Sequence, residues 1–186
     1  MSLAKKYQKS LTEKWCLRFK TIHPRGDNYD GIVLLNQPSF IVVQEMQDFE
    51  FDGTIILPKK VIKGFRDGKF DSCSNEIIRQ NGAINKLKIP SWMSSCSTVP
   101  QVLIELMDRE IWPIIVHLND EKTSTAFYIG PITGTDETGF WLNCYDATGK
   151  WEKEYFLSYQ NILKIDINSK YCKHFNKYMK GQNESK

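Results

Sequence analysis

The feature that most constrains this fold is a run of short apolar segments separated by turn formers, and the chain carries it twice. From Gly31 to Phe65 it reads GIVLLNQPSFIVVQEMQDFEFDGTIILPKKVIKGF. Ile32-Val33-Leu34-Leu35 and Phe40-Ile41-Val42-Val43 are rich in β-branched residues. Between them, Asn36-Gln37-Pro38-Ser39 is turn chemistry with a proline-fixed φ. Asp52-Gly53 is a favoured hairpin dipeptide and leads into Thr54-Ile55-Ile56-Leu57. Lys59-Lys60 interrupts the apolar run, and Val61-Ile62 resumes it. Short strands joined by tight turns predict a small antiparallel sheet that curls and closes, because closure removes exposed edges.

The layout returns between Gly130 and Ile167. Gly130 heads a strand, Asp136-Glu137-Thr138-Gly139 turns the chain, and Phe140 to Tyr145 makes the next strand. Asp146-Ala147-Thr148-Gly149 turns it again, before Tyr155-Phe156-Leu157 and Ile162 to Ile165. Gly31 and Gly130, Phe40 and Phe140, and Ile62 and Ile162 are each separated by about one hundred residues. The spacing predicts a duplicated unit; one larger β-rich domain without a repeat is the alternative.

A chain of 186 residues is one ordinary domain or two small ones. Its apolar content, 41%, supplies a real core and excludes a disordered chain. The net charge of +3 is too balanced to argue for nucleic acid by itself. No apolar run reaches membrane-spanning length and no signal-peptide core stands at the start, so no membrane partner is expected. The five cysteines form no CxxC pair and have no histidine at zinc-ligand spacing. A reduced, cytoplasmic protein follows.

Around the repeated stretches, residues 4–14 read as a short helix or leader. Leu17 and Phe19 alternate as in a strand. Asp71 and Ser72 are suitable caps for a helix over 74–80, ended by Asn81-Gly82. Residues 84–99 read as a linker whose Leu87, Ile89, Trp92 and Met93 lie across a groove. Ser97 or Thr98 caps a helix with Pro100 in its first turn. Ile111 to His117 is a strand, with Pro113 near its start. Tyr171, Phe175 and Tyr178, at i, i+4 and i+7, predict an amphipathic helix docked by aromatics, and 181–186 read as disordered. The expected units are 15–83, a first small barrel plus short helix; 84–109, linker and short helix; and 110–180, a second barrel plus C-terminal helix.

The residues that could carry chemistry are few. His23, His117 and His174 have no sequence neighbours that would make a general base or metal site. Asp48, Glu50 and Asp52 alternate with Phe49 and Phe51 and read as a solvated strand face. Cys144 sits between Asn143 and Tyr145 with no base beside it, which is the setting of a structural thiol. No phosphate loop, dinucleotide fingerprint or hydrolase elbow is present. No catalytic, cofactor-binding or metal-ligating residue is expected, and no cofactor. Phe65-Arg66, Lys69-Phe70 and Lys150-Trp151 pair aromatic rings with cations, the logic of single-strand binding, though Trp141 and Trp151 read rather as core.

The order of strand, glycine-led strand, long bent strand, strand and short strand resembles the SH3-like and Sm-like small barrels. Ile62-Lys63-Gly64 resembles the hydrophobic-basic-glycine signature of the Sm motif; the second copy reads Ile162-Leu163-Lys164 there. The resemblance covers roughly residues 15–70 and 110–168. It implies a mainly β fold of two tandem small barrels with short helices between and after them. The expected function is a non-enzymatic binding or scaffold module acting through barrel loops and edge strands, with a protein or peptide partner and scope for a homo-oligomer. The alternative is an RNA-binding Sm-like protein using Lys63, Arg66, Lys69, Lys150 and Trp151.

Overall fold

The structure, a computed structural model, describes residues 2–22, 28–66, 68–119 and 126–184. The chain runs through helix α1 (Leu3–Glu13), strands β1 (Cys16–Thr21), β2 (Asn28–Asn36), β3 (Phe40–Gln47), β4 (Glu50–Pro58) and β5 (Ile62–Arg66), and helix α2 (Lys69–Gln80). Two short 3₁₀ turns and helix α3 (Val99–Asp108) follow. Then come β6 (Ile114–Leu118), β7 (Ala126–Gly130), β8 (Ile132–Thr135), β9 (Gly139–Tyr145), β10 (Trp151–Ser158), β11 (Ile162–Ile167) and helix α4 (Lys170–Glu184).

The fold is mainly β and its strand pairings are antiparallel. It is not divided into two closed barrels as expected. Eight strands form one sheet in the order β5-β1-β2-β3-β4-β11-β6-β7, and β10-β9-β8 form a second. The physical reason is edge satisfaction: β4 ends the first half, β11 ends the second, and each gives the other a hydrogen-bonding neighbour.

The largest core cluster also crosses between the halves. Phe40, Val42 and Ile56 pack with Ile114, Val116, Phe140, Leu142 and Ile165. Residues 84–99 send their apolar side chains into this core, while most of their polar ones stay exposed. Met93 is fully buried, and Leu87, Ile89 and Trp92 pack against the cluster. A second cluster, built on Leu17, Phe19, Ile41, Val43, Ile55 and Leu57, lies under α1. Ser10 of α1 ties that helix down: its hydroxyl donates to the Trp15 carbonyl (2.6 Å) and accepts the Val33 N–H (2.8 Å), which lies at a bulge in β2.

Gly31 and Gly130 are demanded by close backbone approach. A Cβ on Gly31 would overlap Val43 and the Gln44 carbonyl, and one on Gly130 would overlap the Asn143 carbonyl. Both lie inside or at the end of a strand rather than before one; Gly130 closes β7 ahead of Pro131.

Other local expectations shift in instructive ways. The β3–β4 hairpin turns at Asp48-Phe49, at φ of 48° and 67°, and not at Asp52-Gly53. Gly53 sits within β4 because a Cβ there would meet the Ser169 backbone at 2.7 Å, where the chain enters α4. Helix α2 begins five residues ahead of 74, with Asp71 in its first turn accepting the Gly68 N–H at 2.8 Å. Helix α3 follows the expected Thr98 cap, with Gln101 completing a capping box. Helix α4 continues to Glu184, beyond the expected stop at 180. It docks through Cys172, Met179 and half-buried Phe175, while Tyr171 and Tyr178 are exposed. Trp151 is exposed rather than core, and Trp141 is half-buried against Phe156.

Candidate functional site

Strand edges, paired or open, are where this molecule can meet another chain. The seam between the halves pairs Thr54, Ile55 and Ile56 of β4 with Ile167, Asp166 and Ile165 of β11. The strands with a neighbour on one side only are then β5 and β7 in the large sheet and β10 and β8 in the small one; β7 runs into β8 through Pro131 and lies against the Asn143 carbonyl of β9, so β5 and β10 are the edges considered for pairing. On β10, Trp151, Glu152, Lys153 and Glu154 are exposed, and the β9 ladder is already interrupted by a bulge between Trp151 and Glu154. On β5, Lys63 and Arg66 are exposed. Unpaired N–H and C=O groups along such edges are a template for another extended chain.

A buried polar group lies at the seam. Strand β11 is buried along its whole length, yet it carries Lys164 and Asp166. Such charges need partners. The Lys164 Nζ lies 3.0 Å from Asp166 Oδ1 and 4.4 Å from the Tyr29 ring centroid. The other carboxylate oxygen, Oδ2, is 2.9 Å from His117 Nε2. Burial pushes the Glu45 carboxyl up to about 7; Lys164 opposes that shift, and the like charges of Asp166 and Asp52 add to it. This arrangement places a cluster of charged side chains inside the joint between the halves. The missed signal was legible: two charged residues in the apolar run Ile162-Leu163-Lys164-Ile165-Asp166-Ile167.

The residues nominated for nucleic acid fall into two groups. Lys63, Arg66 and Lys69 stand together on β5 and the first turn of α2. Arg66 is engaged, its guanidinium donating to Asp71 at 2.9 and 3.1 Å. The Lys69 Nζ lies 5.2 Å from the centroid of Phe70, which is 69% exposed. Lys150 and Trp151 stand at the start of β10, in the other sheet, where Trp151 meets Tyr145 edge-on at 5.5 Å.

The remaining candidates resolve into structural roles. Glu50 and Asp52 do not present a free acidic face: Asp52 Oδ1 accepts the Lys170 N–H at 2.7 Å, and Glu50 meets the Lys170 ammonium at 3.0 Å. They hold the start of α4. Asp48 is in the hairpin turn. Cys144 is buried and its thiol is pushed up to about 12, first by burial and then by the Glu152 charge. His174 is exposed on α4, and His23 lies outside the described residues. Among the described residues, no group of three His, Cys, Asp or Glu side chains is placed to hold a metal ion. No described helix is long and apolar enough to cross a membrane. Comparison with protein-family models, with curated proteins and with solved structures finds no match to this chain.

Proposed function

We propose that this chain is a non-enzymatic binding or scaffold module, two SH3-like or Sm-like units in tandem, that takes an extended strand of a protein partner along its open edges. The pairing of β4 with β11 supports a second copy of the chain as that partner. The seam is the observation that carries this reading, because there one edge strand already receives another.

The two halves match in detail, which supports a duplication. Strand β5 pairs with β1 as β11 pairs with β6. In each ladder the first pair, Thr21 with Ile62 or Leu118 with Ile162, is followed by one skipped residue, Lys63 or Leu163. Phe40 faces Pro58, and Phe140 faces Leu157. A single 3₁₀ turn, Lys59–Val61 or Tyr159–Asn161, precedes the last strand. On this correspondence β10 stands to the β5 of another copy as β4 stands to β11. Carried over residue for residue, Phe65 falls opposite Tyr155 and Arg66 opposite Glu154, an aromatic pair beside an opposite-charge pair. The five free thiols suit a reducing cytoplasm.

Sedimentation velocity over a concentration series tests the reading. The expected result is reversible association. Lys153→Pro, placed in the existing bulge, abolishes it by removing an edge donor. Glu154→Arg weakens it, and mixing that variant with Arg66→Glu restores it. A monomer at every concentration, or association indifferent to all three changes, overturns the reading.

A second reading, RNA binding, is favoured by the exposed group of Lys63, Arg66, Lys69 and Phe70. On that reading, affinity for single-stranded RNA falls steeply with salt and weakens with Lys63→Ala. Strand pairing changes little with salt.

A further inference from the structure

A cavity of about 220 Å³ opens between β7, β9, the start of β10 and the start of α4. Aromatic rings dominate its lining: Phe127 and Tyr128 from β7, Tyr145 from β9 and Tyr171 from α4. The Phe127 and Tyr171 rings stand at 83° to each other with centroids 6.2 Å apart, two walls of a corner. Both are large rings left in solvent, 51% and 44% exposed. Tyr171 is held from behind by Phe175 at 4.9 Å, and Phe175 by Tyr145 at 5.3 Å, so the corner is braced.

The charges on this lining have one sign. Asp146 and Glu152 contribute carboxylates, and among the described residues no lysine or arginine lines the cavity, the nearby Lys150 acting on Asp146 from outside the lining. Asp146 is held ionised, its carboxylate well below the usual range, by bonds from the Thr148 hydroxyl and the Lys150 and Thr148 N–H groups. Glu152 accepts from the Tyr155 hydroxyl at 3.4 Å, a long contact that leaves its carboxylate available. Tyr145 is 3% exposed, and its buried hydroxyl has no hydrogen-bond partner among the described residues.

From these observations we infer that the cavity is a binding site for an alkylammonium ion, preferentially a methylated one. Ring faces attract a cation through the negative face of their quadrupole, and methyl groups on nitrogen let that cation shed water and pack against the rings. The two carboxylates supply the compensating charge at the rim. An anion or phosphate ester would meet like charge here, and a neutral apolar guest would leave Glu152 without a counterpart. Glu152 belongs to β10, an edge strand of the proposed pairing, whereas the rings that form the site stand on β7, β9 and α4, so ligand titration reads the site whether or not that pairing occurs.

Methylated ammonium groups occur on small metabolites such as choline and on modified lysine side chains. Titration of the full chain, followed by NMR, separates the possibilities. The probes are choline, its neutral isostere 3,3-dimethyl-1-butanol, and a capped trimethyllysine. The expected result is saturable binding of both cations, at least ten-fold tighter than the neutral isostere. Tyr171→Ala removes most of that binding, and this exposed position tolerates the change. Glu152→Gln weakens the cations several-fold and leaves the neutral isostere unchanged. Tighter binding of trimethyllysine than choline assigns the ligand to a protein tail; the reverse assigns it to a free metabolite. Equal binding of choline and its isostere, no saturable binding of either cation, or binding untouched by Tyr171→Ala overturns the inference.

Discussion

Glu45 shows how one side chain couples the seam to pH. Its folded pKa, about 7, lies above the unfolded value near 4.5, chiefly because burial disfavours the carboxylate. Between those two values the native state therefore binds more protons than the unfolded state. Stability falls as pH rises through that window and is level above it. Glu45→Gln removes this fall. Urea unfolding at pH 8 should show the variant more stable than the parent by about 2 kcal/mol, and the gap should close at pH 5. A parent that is equally stable relative to the variant at both pH values would contradict the burial argument. The glycines provide a second residue-level contrast. Gly130→Ala forces a Cβ into the Asn143 carbonyl and should cost about 3 kcal/mol or prevent folding. Gly64, in contrast, has nothing within 4 Å of where its Cβ would be. Gly64→Ala should change thermal stability by less than about 0.5 kcal/mol.

Among the elements, α4 depends on a neighbour distant in sequence. Its first N–H groups lack helical partners, and Asp52 of β4 supplies one at Lys170. Asp52→Ala should cost about 1 kcal/mol in denaturant unfolding, as loss of a cap does, whereas Asp48→Ala in the exposed hairpin turn should cost less. Much of the element pattern could be read in the chain. The apolar runs of β2, β3, β4, β9 and β11 and the Thr98 cap of α3 announce themselves through local preference. Asp52-Gly53 misled because a hairpin dipeptide and a site of close approach look alike; only the Ser169 backbone, more than a hundred residues on, distinguishes them. Tyr171 and Tyr178 misled for a related reason. Periodicity finds the stripe of a helix, but Cys172 and Met179, one position further round, face the core.

At the scale of the molecule, the similar layout of the two stretches was visible and the seam was not. Landmarks a hundred residues apart in the sequence predict two similar halves, but nothing local says that β4 will pair with β11. That pairing, and the shared core around Phe40, Ile56, Phe140 and Ile165, make the halves one folding unit. Scanning calorimetry should show one transition whose van't Hoff and calorimetric enthalpies agree; two resolved transitions would mean separable barrels. The candidate site was legible only in part, since Lys63, Arg66, Lys150 and Trp151 were marked by their chemistry while the open edges that place them come from topology. The most direct test is backbone hydrogen exchange of peptides spanning β4, β5, β10 and β11, at low and at high protein concentration. The account predicts slow exchange in β4 and β11 at both concentrations, and exchange in β5 and β10 that is fast when dilute and slows as copies pair. Fast exchange across β4 and β11, or β5 and β10 amides indifferent to concentration, would contradict it.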